Sequence, residues 1–321
     1  MKREYNLNII GKRKIFFIIS SSLILIAILF SFIFGVGLDI QFSGGTMLNY
    51  SYTGTISDDD IQAVVKETLG KDCSIRHSTD ILTGKDNMVI SLNDKSGVSI
   101  EDQEKLTKAL TEKFKDHAIE SGEANSIAPT IGREFFAKCL VAVAFASLLL
   151  IVYIAFRFKK ISGWSAGCMA VIALLHDVAM VYATFVIFRI PLNDNFIAVV
   201  LTILGYSIND TIVIYDRVRE NKKLYGKSLG TAELMNKSLN QTLTRTINTS
   251  AATILAMIVV LIVSMICNID SIFTFAFPII IGMISGVYSS LCISSSLWVV
   301  WQEHKEKKNK NKSSKPVKAK A

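Results

Sequence analysis

The sequence predicts a six-span α-helical membrane protein that carries one polar α+β module. Three observations predict it. Half of the 321 residues are apolar and only 19% are charged, against about 25% in soluble domains. Six segments reach the ~20 apolar residues that a helix needs to cross a bilayer core. One polar stretch, 37–134, interrupts them with 17 acidic and 10 basic residues. Four prolines and 18 glycines exclude a low-complexity chain. Cys139, Cys168, Cys267 and Cys292 sit in or beside apolar runs, and Cys73 stands in the polar stretch. No spacing suits zinc or a disulfide framework, so small buried thiols are expected.

Residues 1–14 form a basic N-terminus that ends in Lys12-Arg13-Lys14. The first span, 15–36, is 22 residues long and no Ala-x-Ala site follows it. It reads as a retained anchor rather than a signal peptide. In the polar stretch, residues 47–53 read as a strand. Ser57, with Asp60 three residues on, caps a helix whose face is Ile61, Val64, Val65 and Leu69. Residues 73–79 and 87–93 alternate like a hairpin pair. Ser99 and Asp102 open a second helix with Leu106, Ala109, Leu110 and Phe114 on one face, and 119–128 is a last strand. The order is the ferredoxin-like βαββαβ. The module has no catalytic cluster and reads as a binding or lever element.

Spans two to six fill 135–300, at 135–156, 164–188, 192–215, 247–266 and 275–300. Trp298 and Trp301 close the last, as suits a headgroup belt. Lys and Arg set the orientation. Residues 1–14, 157–160, 216–246 and the tail after Val300 hold 23 of them, and the alternate loops, 189–195 and 267–274, hold one. Both termini are therefore expected in the cytoplasm, with 37–134 outside. The basic tail 301–321 has no aromatic residue beyond Trp301 to stack on bases, so lipid is expected there and nucleic acid is not.

Ionisable groups at a helix centre in the bilayer cost at least ~2.5–3.5 kcal/mol each, so the few present are candidates for function. Asp210 shares a helix face with Ser207 and Thr211, beside Asn209, and those hydroxyls are expected to bond its carboxyl. Such a group, held between desolvation and hydrogen-bond donors, can load and release a proton. The alternative is a carboxyl that only joins helices. His176-Asp177 is the second site; adjacent positions point about 100° apart, so the pair is not expected to face one ligand. Metal phosphohydrolases also use His-Asp pairs, but the other histidines, His77, His117 and His304, lie outside the spans. The Gly-x-Gly-Asp element of intramembrane aspartyl proteases is absent. Asp216-Arg217-Val218-Arg219-Glu220-Asn221 leaves the membrane as charged helix and reads equally as a topogenic, ion-paired cluster or as the head of a cytoplasmic coupling loop. Gly282 to Gly286 permits close helix packing.

Several motifs carry a family resemblance. Gly37-Leu38-Asp39-Ile40-Gln41-Phe42-Ser43-Gly44-Gly45-Thr46 is similar to the Gly-x-Asp-Phe-x-Gly-Gly-Thr motif of the SecD/SecF protein-export family, with Ile40-Gln41 between the acid and Phe42. The run Gly205 to Thr211, followed by Tyr215 to Asn221, resembles that family's fourth-span signature, and Leu239 to Ser250 continues it. Phe156-Arg157-Phe158 and His176-Asp177 also fit. The resemblance implies an RND-superfamily half of the SecF type, working with a SecD partner, the SecYEG channel, the SecA ATPase and a translocating preprotein. It implies a bacterial cytoplasmic membrane, proton-driven late steps of export, and a proton-transporting carboxylate at Asp210. No enzyme activity, cofactor or metal is implied. A small-molecule exporter half and a non-transporting assembly scaffold are the rival readings.

Overall fold

The computed structural model describes residues 6–79, 86–92, 98–127, 129–226, 228–267 and 269–313. Chain order gives α1 (Arg13–Phe34), a short α2 (Ile40–Ser43), β1 (Gly45–Tyr52), α3 (Asp58–Leu69), β2 (Cys73–Thr79), β3 (Asp86–Leu92), α4 (Ile100–Lys113) and β4 (Glu120–Ile127). The remaining helices are α5 (Pro129–Arg157), α6 (Gly163–Ile187), α7 (Asp194–Tyr225), α8 (Thr231–Ile266), α9 (Asp270–Tyr288) and α10 (Ser295–Ser313), the last two joined by a π-helical stretch, Ser289–Ser294. Among the described residues, six helical segments are long and apolar enough to cross a membrane.

Burial sorts these spans. α6, α7 and α9 touch one another and hold the core: Leu174, Val181, Val199, Val200, Ile203 and Ile279 are almost fully buried. α1, α5 and α8 lie outside them with few buried positions, and α1 buries only Ser20 and Ala27. Apolar side chains such as Ile18 and Phe32 on α1 face outward, as lipid-facing surface requires. Close packing at the centre depends on Gly282. A Cβ there would sit 2.7 Å from Ile203 Cγ1 and 2.9 Å from Val181 Cγ2, so any larger residue drives α9 off both α6 and α7.

The polar stretch forms a small four-stranded sheet in the order β2-β3-β1-β4, with antiparallel pairing throughout. Alternation aims Leu48, Tyr50 and Tyr52 of β1 and Met88, Ile90 and Leu92 of β3 at one face. Ile61, Val64 and Val65 of α3 and Leu106 and Leu110 of α4 close that core. Ser99 caps α4 by accepting from the Asp102 N–H at 3.2 Å, whereas the Ser57 side chain makes no capping bond to α3. Asn93 and Ala128, the expected strand ends, lie outside the described residues.

Three expectations change. α7 and α8 do not stop at the membrane: at 32 and 36 residues they reach ~48 and ~54 Å at ~1.5 Å per residue, beyond a ~30 Å core. Asp216 to Asn221 leaves the span as helix, as expected, but it runs on as part of α7 to Tyr225 rather than heading a loop. Trp298 is no belt residue; it is buried beside Tyr215, with ring centroids 6.2 Å apart, and of the pair that closes the span Trp301 is the exposed one. The cysteines are free but not uniformly buried: Cys292 is buried, Cys168 faces outward and the rest are intermediate.

Burial, then the Asp72 and Asp58 charges, push the Cys73 thiol up to about 11. Its alkylation in the folded protein should be slow and should climb about tenfold per pH unit until about 11 is approached. A rate that levels off near the usual thiol range, followed by mass spectrometry of the Cys73 peptide, would contradict this environment.

Candidate functional site

Asp177 is fully buried on α6 and collects hydroxyls from two other helices. Ser207 on α7 donates to its Oδ2 at 2.8 Å, Ser285 on α9 to Oδ1 at 2.6 Å, and Ser289 in the π-helical stretch to Oδ2 at 2.7 Å. Three helices therefore meet on one carboxyl. Gly286 makes room for this, since a Cβ there would lie 3.1 Å from the Ser207 side chain. His176 joins the same cluster despite the angular offset of neighbouring residues. Its Nδ1 lies 3.4 Å from both Asp177 Oδ1 and Ser285 Oγ, while its buried Nε2 has no partner among the described residues.

Asp210 is 4% exposed and sits apart from that cluster. Ser250 of α8 donates to its Oδ2 at 3.3 Å, and the Arg245 charge, also from α8, acts on the same carboxyl. Ser207 and Thr211 do not bond Asp210, contrary to the expectation from their spacing. Positions i, i+3 and i+4 cover about 100° of helix surface, and three different neighbours occupy that arc. Ser207 turns to α6, Asp210 to α8, and Thr211 to Ser290 at 2.9 Å. Asn209 is exposed on the opposite side and takes no part.

The π-helical stretch supplies a second line of hydroxyls. Thr211 pairs with Ser290, and Tyr215, four residues on, pairs with Ser294, each at 2.9 Å. π segments often mark functional positions because they re-aim side chains within a helix. Spacing on α7 does not show Ser250, Ser285, Ser289, Ser290 and Ser294 as its hydrogen-bonding partners or those of Asp177. A signal was available: six serines between positions 285 and 296 of an otherwise apolar span.

The segment after α1 forms a joint. Asp39 N–H donates to Leu192 O at 2.9 Å and Leu192 N–H to Gly37 O at 2.8 Å, which ties the motif to the α6–α7 connection. The buried Asp39 carboxyl takes the Arg76 guanidinium of β2 at 2.7 Å. Phe42 packs on Phe135 and Phe136 of α5, with centroids 5.8 and 5.1 Å apart. Gly44, at φ 79°, adopts a conformation that favours glycine, and it turns the chain into β1 with Gly45. Thr46 is fully buried and accepts the Val98 N–H at 3.2 Å.

At the other end, Asp216 binds Arg157 and Arg219, whose guanidiniums both lie over the buried Phe158 ring. Arg217 pairs with Glu220 and donates to Gln241 at 2.7 Å, and Asn221 donates to Ser238 and Gln241. The projecting parts of α7 and α8 are thereby fastened together.

A profile described as protein export membrane protein SecD/SecF, C-terminal, matches residues 106–304. The protein translocase subunit SecF of Anaerolinea thermophila is 30% identical over 301 residues, covering 92% of this chain and 94% of that one. The protein translocase subunit SecDF of Bacillus subtilis is 34% identical over 300 residues; the match takes in 93% of this chain but only 38% of that longer one. The crystal structure of SecDF from Thermus thermophilus, titled a translocon-associated membrane protein, superposes with a TM-score of 0.77 at 28% identity, over 94% of this chain and 40% of that one.

The Asp177 cluster predicts non-additive mutants. Asp177→Asn, Ser285→Ala and Ser289→Ala should each lower thermal stability in detergent, and the Asp177–Ser pairs should show coupling of about 0.5–3 kcal/mol. Asn209→Ala should be neutral. Additive losses in a double-mutant cycle would mean that the hydroxyls do not act through Asp177.

Proposed function

The chain belongs to the SecD/SecF family of protein-export membrane proteins, and from that premise we propose that it is the SecF-type subunit that works with SecD to use an ion gradient in late preprotein export. SecYEG and SecA supply the channel and the initial push. The 23-to-1 distribution of Lys and Arg supports cytoplasmic termini and an extracytoplasmic, ferredoxin-like α+β unit in the bacterial cytoplasmic membrane. The SecDF relatives are much longer chains, of which this one spans 38–40%. That ratio supports a second polypeptide supplying the remainder.

The observation that carries the proposal is Asp210, buried within the α7 span with one hydrogen bond, at 3.3 Å, to Ser250 of α8. A proton reaching Asp210 cancels its charge and weakens its attraction to Ser250 and Arg245, which shifts α7 against α8. α7 begins two residues after Leu192, whose backbone holds the joint below the α+β unit. Movement of α7 is thereby passed to that unit. One charge crossing 100 mV yields ~2.3 kcal/mol, enough to shift a two-state equilibrium roughly fiftyfold.

Inverted vesicles with SecD, SecYEG and SecA test this. Asp210→Asn, at equal abundance, should reduce gradient-driven export to the level without the subunit, and Asp210→Glu should keep part of it. Full gradient-driven export by Asp210→Asn would remove the proton-carrying role and favour a scaffold.

A further inference from the structure

A cleft of about 370 Å³ opens between α1, α6 and the segment running from the π-helical stretch into α10. Phe17, Leu175 and Leu297 form apolar walls, and Ser20, Ser21 and His176 are its polar members. Ser20 lies seven residues past Arg13, so the cleft sits ~10 Å in from the end of α1 at which the basic N-terminus emerges. His176 connects the cleft to the buried cluster. Its Nδ1 is taken up by Asp177 and Ser285, and the opposite edge of the ring holds the unpartnered Nε2. A buried imidazole nitrogen without a partner is costly and is normally met by protein or water. Ser20 already bonds Tyr288 OH at 3.0 Å, which leaves Ser21 and His176 to hold water together. The cleft is open on one side, and Ser21 and His176 are the groups on its wall that can bind a water there.

We propose that this cleft admits water to His176 and that the imidazole is the outlet through which Asp177 exchanges a proton with the side where α1 begins. The inference rests on the gradient-driven reading above and assigns its route and sidedness. The transfer is proton movement alone. Asp177 gives its carboxyl proton to Nδ1, and Nε2 gives its own proton to a water in the cleft. The O–H bond breaks, an N–H bond forms at Nδ1, the Nε2–H bond breaks, and the water leaves as hydronium. The ring stays neutral and changes tautomer; a proton travelling the other way restores it. A small ring rotation that opens Nε2 to the cleft completes the path. An acyl chain lodged in the cleft is the competing occupant.

The test has two arms, both with SecD present and with Cys73, Cys139, Cys168, Cys267 and Cys292 replaced. In the first, Ser21→Cys and Ile18→Cys are treated in inverted vesicles with a small charged methanethiosulfonate. Thiolate forms only where water solvates it. Ser21→Cys should therefore react about tenfold faster or more than Ile18→Cys, whose side chain faces outward, and adding Leu175→Trp should protect it. Equal rates would mean a lipid-filled cleft and would overturn the proposal. In the second arm, Leu175→Trp and His176→Gln should each lower gradient-driven export roughly tenfold or more, with Ile18→Trp unaffected. Full export by Leu175→Trp, with labelling blocked, would overturn the outlet while leaving Asp210 untouched. The labelling arm reads water in the cleft whether or not Asp210 carries protons, so the two failures are distinguishable.

Discussion

The bundle depends on one constraint: the Asp177 carboxyl lies where neither water nor lipid can solvate it. Ser207, Ser285 and Ser289 meet that need from α7, α9 and the π-helical stretch. Without donors from its neighbours, α6 would bury an unsatisfied acid in an apolar core, at several kcal/mol. Those donors reach it only because Gly282 and Gly286 let α9 approach within side-chain distance of α6 and α7. The glycines, the serines and the carboxyl are therefore one structural unit. The π-helical stretch belongs to it as well, because it directs Ser289 toward Asp177 and Ser290 toward Thr211.

Asp210 is placed differently. Asp177 is held by three short bonds, whereas Asp210 has one longer bond to α8. The bundle thus carries one firmly held acid on α6 and one loosely held acid on α7. α7 bears Asp210 and Ser207, and its entry is fixed to the Gly37–Asp39 backbone through Leu192. Its far end is bound to α8 through Arg217, Asn221 and Gln241. One rigid helix thus connects the buried carboxyl, the joint below the α+β unit and the projecting α7–α8 pair. Asp39 and Arg76 complete the joint with a mostly buried ion pair, whose loss on one side would leave an unpaired charge.

Much of the fold was legible from the sequence. Length and apolarity located the six spans, and alternation at Leu48, Tyr50, Met88 and Ile90 located the sheet, because those patterns report burial directly. Asp177, His176 and Asp210 stood out as ionisable groups in apolar runs. Their partners were not legible. Spacing on one helix shows which residues share an arc, but not which neighbouring helix occupies each part of it, so Ser207 was assigned to Asp210 instead of Asp177. The serines of the last span look like small packing residues until the carboxyl opposite them is known. The extensions of α7 and α8 and the burial of Trp298 were missed because hydropathy marks where a span meets water, not where a helix ends or which side a neighbour covers.

The central claim is that the loosely held Asp210 changes protonation when the membrane is energised. Infrared difference spectroscopy on isotope-labelled aspartate, recorded as reconstituted vesicles are energised and relaxed, reads this directly. A reversible carboxylic-acid carbonyl band that disappears in Asp210→Asn is the predicted result. A band that persists in Asp210→Asn, or no carboxyl change on energising, would contradict the account.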